Sequence, residues 1–132
     1  MRVMAAQLIP ALTDHELEAI LAAGKAAGAQ AASCIMLRLP REVAGLSRDW
    51  VADHFSDRAA RIMGRVRELH GGQDDGPAFG TRMTGQGEWA PLMGMRFVLA
   101  CRKLALPEAL PPLRADLFAL PGRPIQPGLF QA

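Results

Sequence analysis

Cysteine is scarce in this sequence, and its scarcity excludes a good deal. Cys34 and Cys101 are the only two in 132 residues. That is too few for a disulfide framework and too wide a spacing for a Cys-x-x-Cys metal site, so both are expected as reduced thiols. No stretch of about 18 consecutive apolar residues is present to span a bilayer. The chain also lacks an opening basic segment followed by an apolar run and a small-residue cleavage site. A soluble, cytoplasmic protein with no membrane partner is expected. An excess of one charge is missing too: 15 basic against 13 acidic residues leave a formal +2. That is weak support for a polyanionic partner, even though arginine, which grips phosphate bidentately, supplies most of the basic residues. No serine stands in Gly-x-Ser-x-Gly, and His15, His54 and His70 lack the spacing of a shared metal site. Motifs alone declare no enzyme.

What is present is a packed core in the making, since half of the residues are hydrophobic. Residues 2–9 have the apolar character, broken only by Arg2 and Gln7, expected of a strand covered on both faces in a parallel sheet, and Pro10 stops them. Thr13 is positioned to cap a helix from about Asp14 to Gly28, with Glu16 completing a capping box and Leu17, Ile20, Leu21 and Gly24 on one face. "ASCIMLRL" at 32–39 reads as a second buried strand, closed by Pro40. Strand, helix and strand make a parallel βαβ unit, so the fold class is α/β. Two parallel strands leave two open edges and too little area to stand alone. The sheet is therefore expected to be missing strands.

Beyond Pro40 the pattern turns helical. A short helix is expected at 47–55, capped by Ser47, with Trp50, Val51 and Phe55 inward. Ser56 should cap a stronger one to His70, with Ala59, Ile62, Met63, Val66 and Leu69 on its apolar face. The glycine-rich "HGGQDDGPAFGTRMTGQG" follows, and then a helix at 88–104 carrying Trp89, Leu92, Met93, Phe97 and Cys101. The sequence thus divides into a βα part at 1–45, a helical extension at 46–106 and a proline-rich tail, expected to be disordered, at 107–132.

Loops that follow parallel strands are where α/β folds gather their chemistry. Residues 9–14 and 38–40 occupy that position. Arg38, a charge at the end of so apolar a run, is expected to face a wet mouth or to pair with a carboxylate. Asp14 reads equally as a helix cap. Arg58, Arg61 and Arg65, with Arg67 beside them, form a basic face that suits solvent better than a nucleic-acid backbone. The glycine loop follows a helix and lacks the Lys-Ser/Thr of a P-loop, so it reads as a long ordered turn. In the tail, "QPGLF" at 126–130 resembles the Gln-x-x-Leu-Phe peptides that dock on the bacterial sliding clamp. Gln126, Leu129 and Phe130 are the candidate partner-binding residues.

Taken together, "IPALTDHELEAIL", "LRLPREV", "FSDRAARIM", "FGTRMTGQGEWA" and "RFVLACRKL" resemble the C-terminal part of the bacterial radical S-adenosylmethionine proteins related to spore photoproduct lyase, often labelled DNA repair photolyases. The resemblance covers roughly residues 3–106. It implies a partial (β/α)6 barrel, here contributing the fifth and sixth strands and a helical C-terminal extension. It also implies a 4Fe-4S cluster on a Cys-x3-Cys-x2-Cys loop, which reductively cleaves S-adenosylmethionine to a 5′-deoxyadenosyl radical. By position, Ile9, Pro10 and Asp14 would lie at the mouth of the fifth strand near the adenosyl group, and Arg38 and Pro40 at the mouth of the sixth. Phe79, Arg82, Met83, Gly85 and Gly87 would form the glycine-loop signature. The chain departs from the family where activity is concerned, because the cysteine loop and the first four strands are absent. A fragment inactive by itself is expected, with a missing N-terminal half as partner and DNA as a ligand by family analogy. The rival expectation is a non-catalytic α/β interaction module that completes its sheet with a partner or a second copy and docks on the sliding clamp through its tail.

Overall fold

Strand β1 (Arg2–Leu8) and strand β2 (Ala31–Met36) pair in parallel in the computed structural model, which describes residues 1–74 and 84–107 together with 109, 110, 112 and 116. Ala5 lies opposite Cys34 and Leu8 opposite Met36, with a register shift between Ala6 and Leu8. A parallel pair needs a crossover, and helix α1 (Leu17–Ala26) supplies it. Helices α2 (Glu42–His54), α3 (Ala59–Leu69) and α4 (Trp89–Leu104) follow. The described residues thus make a small α/β domain of two parallel strands and four helices. Among them, no helix is long and apolar enough to cross a membrane.

The core explains the layering. Ala5 and Leu8 of β1 and Ala32 and Met36 of β2 are buried in one cluster with Leu17 and Leu21 of α1 and Met93, Phe97, Ala100 and Cys101 of α4. Both helices therefore lie on the same face of the sheet. At Gly24 the approach is closest: a Cβ there would meet Val3 Cγ2 at 2.7 Å. A smaller cluster, Leu39 with Met63 and Val66, joins α3 to the segment after β2.

Several expectations are corrected. β1 is covered on one face only: Met4 is 53% exposed and Ala6 is exposed as well, because α1 and α4 stack on the opposite side. Thr13 makes no side-chain cap. Its hydroxyl instead accepts the Ile9 N–H at 3.0 Å, so it closes the loop, and a 3-10 turn (Asp14–Glu16) precedes α1. Helix α2 starts at Glu42 rather than after Ser47 and runs through residue 45. Trp50 is 45% exposed, not inward. Only Val51 on α2 is buried, and Trp50 lies a quarter-turn away, stacked on His54 at 5.1 Å. Helix α3 begins three residues after Ser56. On α4 the inward face is Met93, Phe97, Ala100 and Cys101, leaving Leu92 40% exposed.

Candidate functional site

The loops that leave β1 and β2 lie side by side, since Leu8 pairs with Met36 and the Leu37 N–H donates to the Leu8 carbonyl at 3.0 Å. Each carries a non-glycine residue in the left-handed region: Ala11 at φ 62° and Arg41 at φ 49°. Such a conformation costs on the order of 1–3 kcal/mol and persists where its surroundings impose it, often at ligand-binding loops. In the first loop the Ile9 carbonyl accepts the N–H groups of Leu12, Thr13 and Asp14 at 3.1, 2.9 and 3.3 Å. Proline ends the strand, and these bonds then wind the chain directly into the turn before α1.

Arg96 of α4 holds this corner in place. Its Nη2 donates to the Asp14 carbonyl at 3.1 Å, and its fork spans the Glu18 carboxylate with Nε at 3.0 Å and Nη2 at 2.7 Å. The Asp14 carboxylate lies 3.9 Å from Nη1. The hydrogen bond from Arg96 holds the Glu18 carboxyl below the usual glutamate range, and Glu18 in turn raises Arg96. The spacing of residues within a helix gives no sign of this pairing, which joins positions 78 apart in sequence.

The candidate residues divide into two sets. Pro10 is fully buried and Asp14 nearly so, at 8% exposure, with Asp14 turned toward Arg96. Ile9 is half-buried and its backbone groups are already used within the loop. Arg38 is half-buried with its Nε shielded and without a hydrogen-bond partner among the described residues, and Pro40 is exposed. Arg38, Pro40 and Arg41 are therefore the groups that can meet a ligand. A small cavity of about 130 Å³ lies between β2 and α4, lined by Cys34, Met36, Thr84, Ala90 and Gly94.

His70, Gly85 and Gly87 have structural roles at this end that the sequence did not announce. His70 is 4% exposed, and its Nε2 lies 2.9 Å from the Leu37 carbonyl. That partner makes Nε2–H the donor and ties the end of α3 to the exit of β2. Gly85 and Gly87 adopt φ of 80° and 75°. A Cβ on them would meet Leu69 Cδ2 and Glu68 Cγ at 3.0 Å, while the Gln86 N–H donates to the Leu69 carbonyl at 2.8 Å. This end of the glycine loop is thus a backbone splice between α3 and α4. Phe79, Arg82 and Met83, together with Gln126, Leu129 and Phe130, lie outside the described residues.

The basic face of α3 is largely paired. Arg65 contacts Glu68 at 2.7 Å and lies over the Trp89 ring at 4.9 Å. Arg67 and Arg48 both bind Asp74, which stays ionised below the usual aspartate range through its bonds to them.

A 4Fe-4S cluster does not fit the donors in view. Among the described residues no group of three or more His, Cys, Asp or Glu side chains is arranged to hold a metal ion, and Cys34 and Cys101 sit on different elements, β2 and α4. No protein-family model, curated protein or solved structure matches this chain.

Proposed function

We propose that the chain is the C-terminal portion of a partial (β/α)6 barrel of the radical S-adenosylmethionine type, akin to the spore photoproduct lyase-like proteins. On this reading it acts together with an N-terminal half that brings the other strands and the cysteine loop. The observation that carries the reading is the uncovered side of β1, which has β2 as its one strand partner among the described residues and has Met4 and Ala6 exposed on the face away from the helices. Parallel strands are stable when both faces are covered and their edges paired, so β1 is suited to further strands. The two strained loops and Arg38 support it, because they meet at the end of the sheet where α/β folds bind ligands. Arg38 would offer an anion-binding guanidinium and Pro40 an apolar contact. Pro10 and Asp14 would shape the loop from within. DNA enters this reading only through the family's label, and a cytoplasmic location goes with it.

The test is genetic first and spectroscopic second. DNA upstream of the Met1 codon is expected to encode, in some frame, four βα units and Cys-x3-Cys-x2-Cys. The isolated chain treated with iron and sulfide should gain no visible iron–sulfur absorption, and co-expression with the upstream product should produce it. A stable cluster in the isolated chain, or an upstream region without those units, overturns the proposal.

The same uncovered side favours a second reading, an interaction module whose sheet is completed by another protein or a second copy and whose residues 126–130 dock on the sliding clamp. Sedimentation of the pure chain separates a defined oligomer from a half-sheet awaiting its partner. Equal clamp recovery with and without residues 126–132 would end the docking part.

A further inference from the structure

Helix α4 has two apolar sides. Met93, Phe97, Ala100 and Cys101 are buried against the sheet layer. At 3.6 residues per turn, Leu92, Met95 and Leu99 fall on the opposite side, and all three are exposed, Met95 at 61% and Leu99 at 55%. A surface helix ordinarily keeps its apolar residues for the core and turns polar ones to solvent. The outer stripe continues at the same spacing to a charge at each end, Glu88 at the N-cap and Arg102 in the last turn, both exposed. Glu88, Leu92, Met95, Leu99 and Arg102 thus follow each other by four, three, four and three residues. That is the spacing of a seam between paired helices.

We infer that this seam pairs α4 with the α4 of a second copy, antiparallel about a two-fold axis at Met95. The charges select the direction. Met95 lies seven residues from Glu88 and seven from Arg102, so a two-fold axis there sets the Glu88 of each copy beside the Arg102 of the other. Parallel pairing would set like charges together and align the two helix dipoles, whereas antiparallel pairing opposes them. Beside the seam lies a cavity of about 370 Å³ lined by Gly94, Met95, Val98, Leu99 and Arg102. A Cβ on Gly94 would meet nothing within 4 Å, so the cavity has room for a side chain from the facing helix. The seam is only ~21 Å long from Glu88 to Arg102. One helix pair of that length buries less than the ~800 Å² per partner of a standard interface, so a reversible, micromolar dimer is expected. Each copy uses the same patch, and assembly therefore stops at two. The inference uses α4 alone and is independent of what completes the sheet beside β1.

The test is sedimentation equilibrium of the full chain over a range of concentrations at low salt, where a monomer–dimer equilibrium is expected. Leu99→Asp should weaken the dimer about a hundredfold, because a two-fold contact loses that side chain's contribution twice. Glu88→Arg and Arg102→Glu should each weaken it about fivefold, as rim charges do. Combined in one chain, the two exchanges should restore the parent's affinity, since opposite charges then face each other again across an antiparallel pair. All these substitutions are at exposed sites, and far-UV circular dichroism checks that the fold is kept. The charge exchanges leave the apolar seam untouched, so they carry the test even if Leu99→Asp unfolds the chain. A chain monomeric at every concentration, or a dimer as tight with Leu99→Asp in a folded chain, would overturn the assignment; association through β1 would give the second result. A doubly exchanged chain as weak as either single variant would overturn the antiparallel pairing.

Discussion

The two halves of this molecule are held together in different ways. The sheet, α1 and α4 share a continuous cluster of thirteen buried apolar residues from Ala5 to Leu106, to which α3 contributes one, Leu69 at its end. The α2–α3 corner has a cluster of three, Leu39, Met63 and Val66, with Val51 and Ile62 also buried, and leaves Val43, Leu46 and Trp50 more than 40% exposed. The corner relies instead on polar ties: His70 to the Leu37 carbonyl, and Asp74 between Arg48 and Arg67. Area removed from water stabilises in proportion to its extent, whereas half-exposed ion pairs contribute little. The difference teaches that the βα layer carries most of the stability and that the corner is fastened to it at a few points.

The sharpest way to break that comparison is to truncate one fully buried aliphatic side chain in each part. Leu21→Ala, at a fully buried site, is expected to cost about 2–5 kcal/mol. Val66→Ala, in the small cluster, should cost about 1–2 kcal/mol. Urea unfolding of both variants measures this, and equal losses would show that the two parts share one core. Next comes His70→Leu, which leaves the Leu37 carbonyl unpaired and should cost about 1–3 kcal/mol. Its effect on amide exchange should be concentrated in α3, and protection lost evenly across the chain would contradict a local tie.

Gly24→Ala sharpens the other side. Alanine gains up to about 1 kcal/mol in helix propensity, but its methyl would sit within 2.8 Å of two Val3 side-chain atoms, and overpacking of that kind costs about 1–3 kcal/mol. Net destabilisation is expected, and a higher melting temperature would mean that β1 and α1 shift apart freely. The smallest effect is electrostatic. Glu18 and Asp74 have carboxyls held below their ordinary range by arginine partners. Their stabilisation is therefore present at neutral pH and lost on acidification through those lowered values. Half-exposed partners and solvent screening keep each below about 1 kcal/mol. Glu18→Gln and Asp74→Asn should each flatten the acid limb of the stability curve, and an unchanged slope in both would remove the ion pairs from the account.

How much of this was legible in the sequence follows the same division. Both strands, the crossover helix and the inward positions Leu17, Leu21, Met93, Phe97 and Cys101 were readable, because periodicity reports burial wherever an element packs on a broad apolar surface. The faces of β1 were misread because its alternate residues are apolar too, so composition hid that only one face is covered. Trp50 misled for a related reason, since a large aromatic side chain normally signals interior. At the site, Arg38 and the two loops stood out through proline and charge. Arg96, His70 and the strained Ala11 and Arg41 did not, because their roles arise from contacts distant in sequence or from backbone angles that no residue type announces.

Each half also carries one of the chain's two tryptophans. Trp50 lies half in solvent on α2 against the His54 ring, while Trp89 has its indole nitrogen shielded beneath Arg65 where α4 begins. The native protein is thereby equipped with two optical reporters of unlike surroundings, one emitting toward the red and one toward the blue. With Trp50→Phe leaving a single emitter, a fluorimeter can follow the sheet layer while the corner loosens, and the difference from the parent spectrum records when the corner lets go.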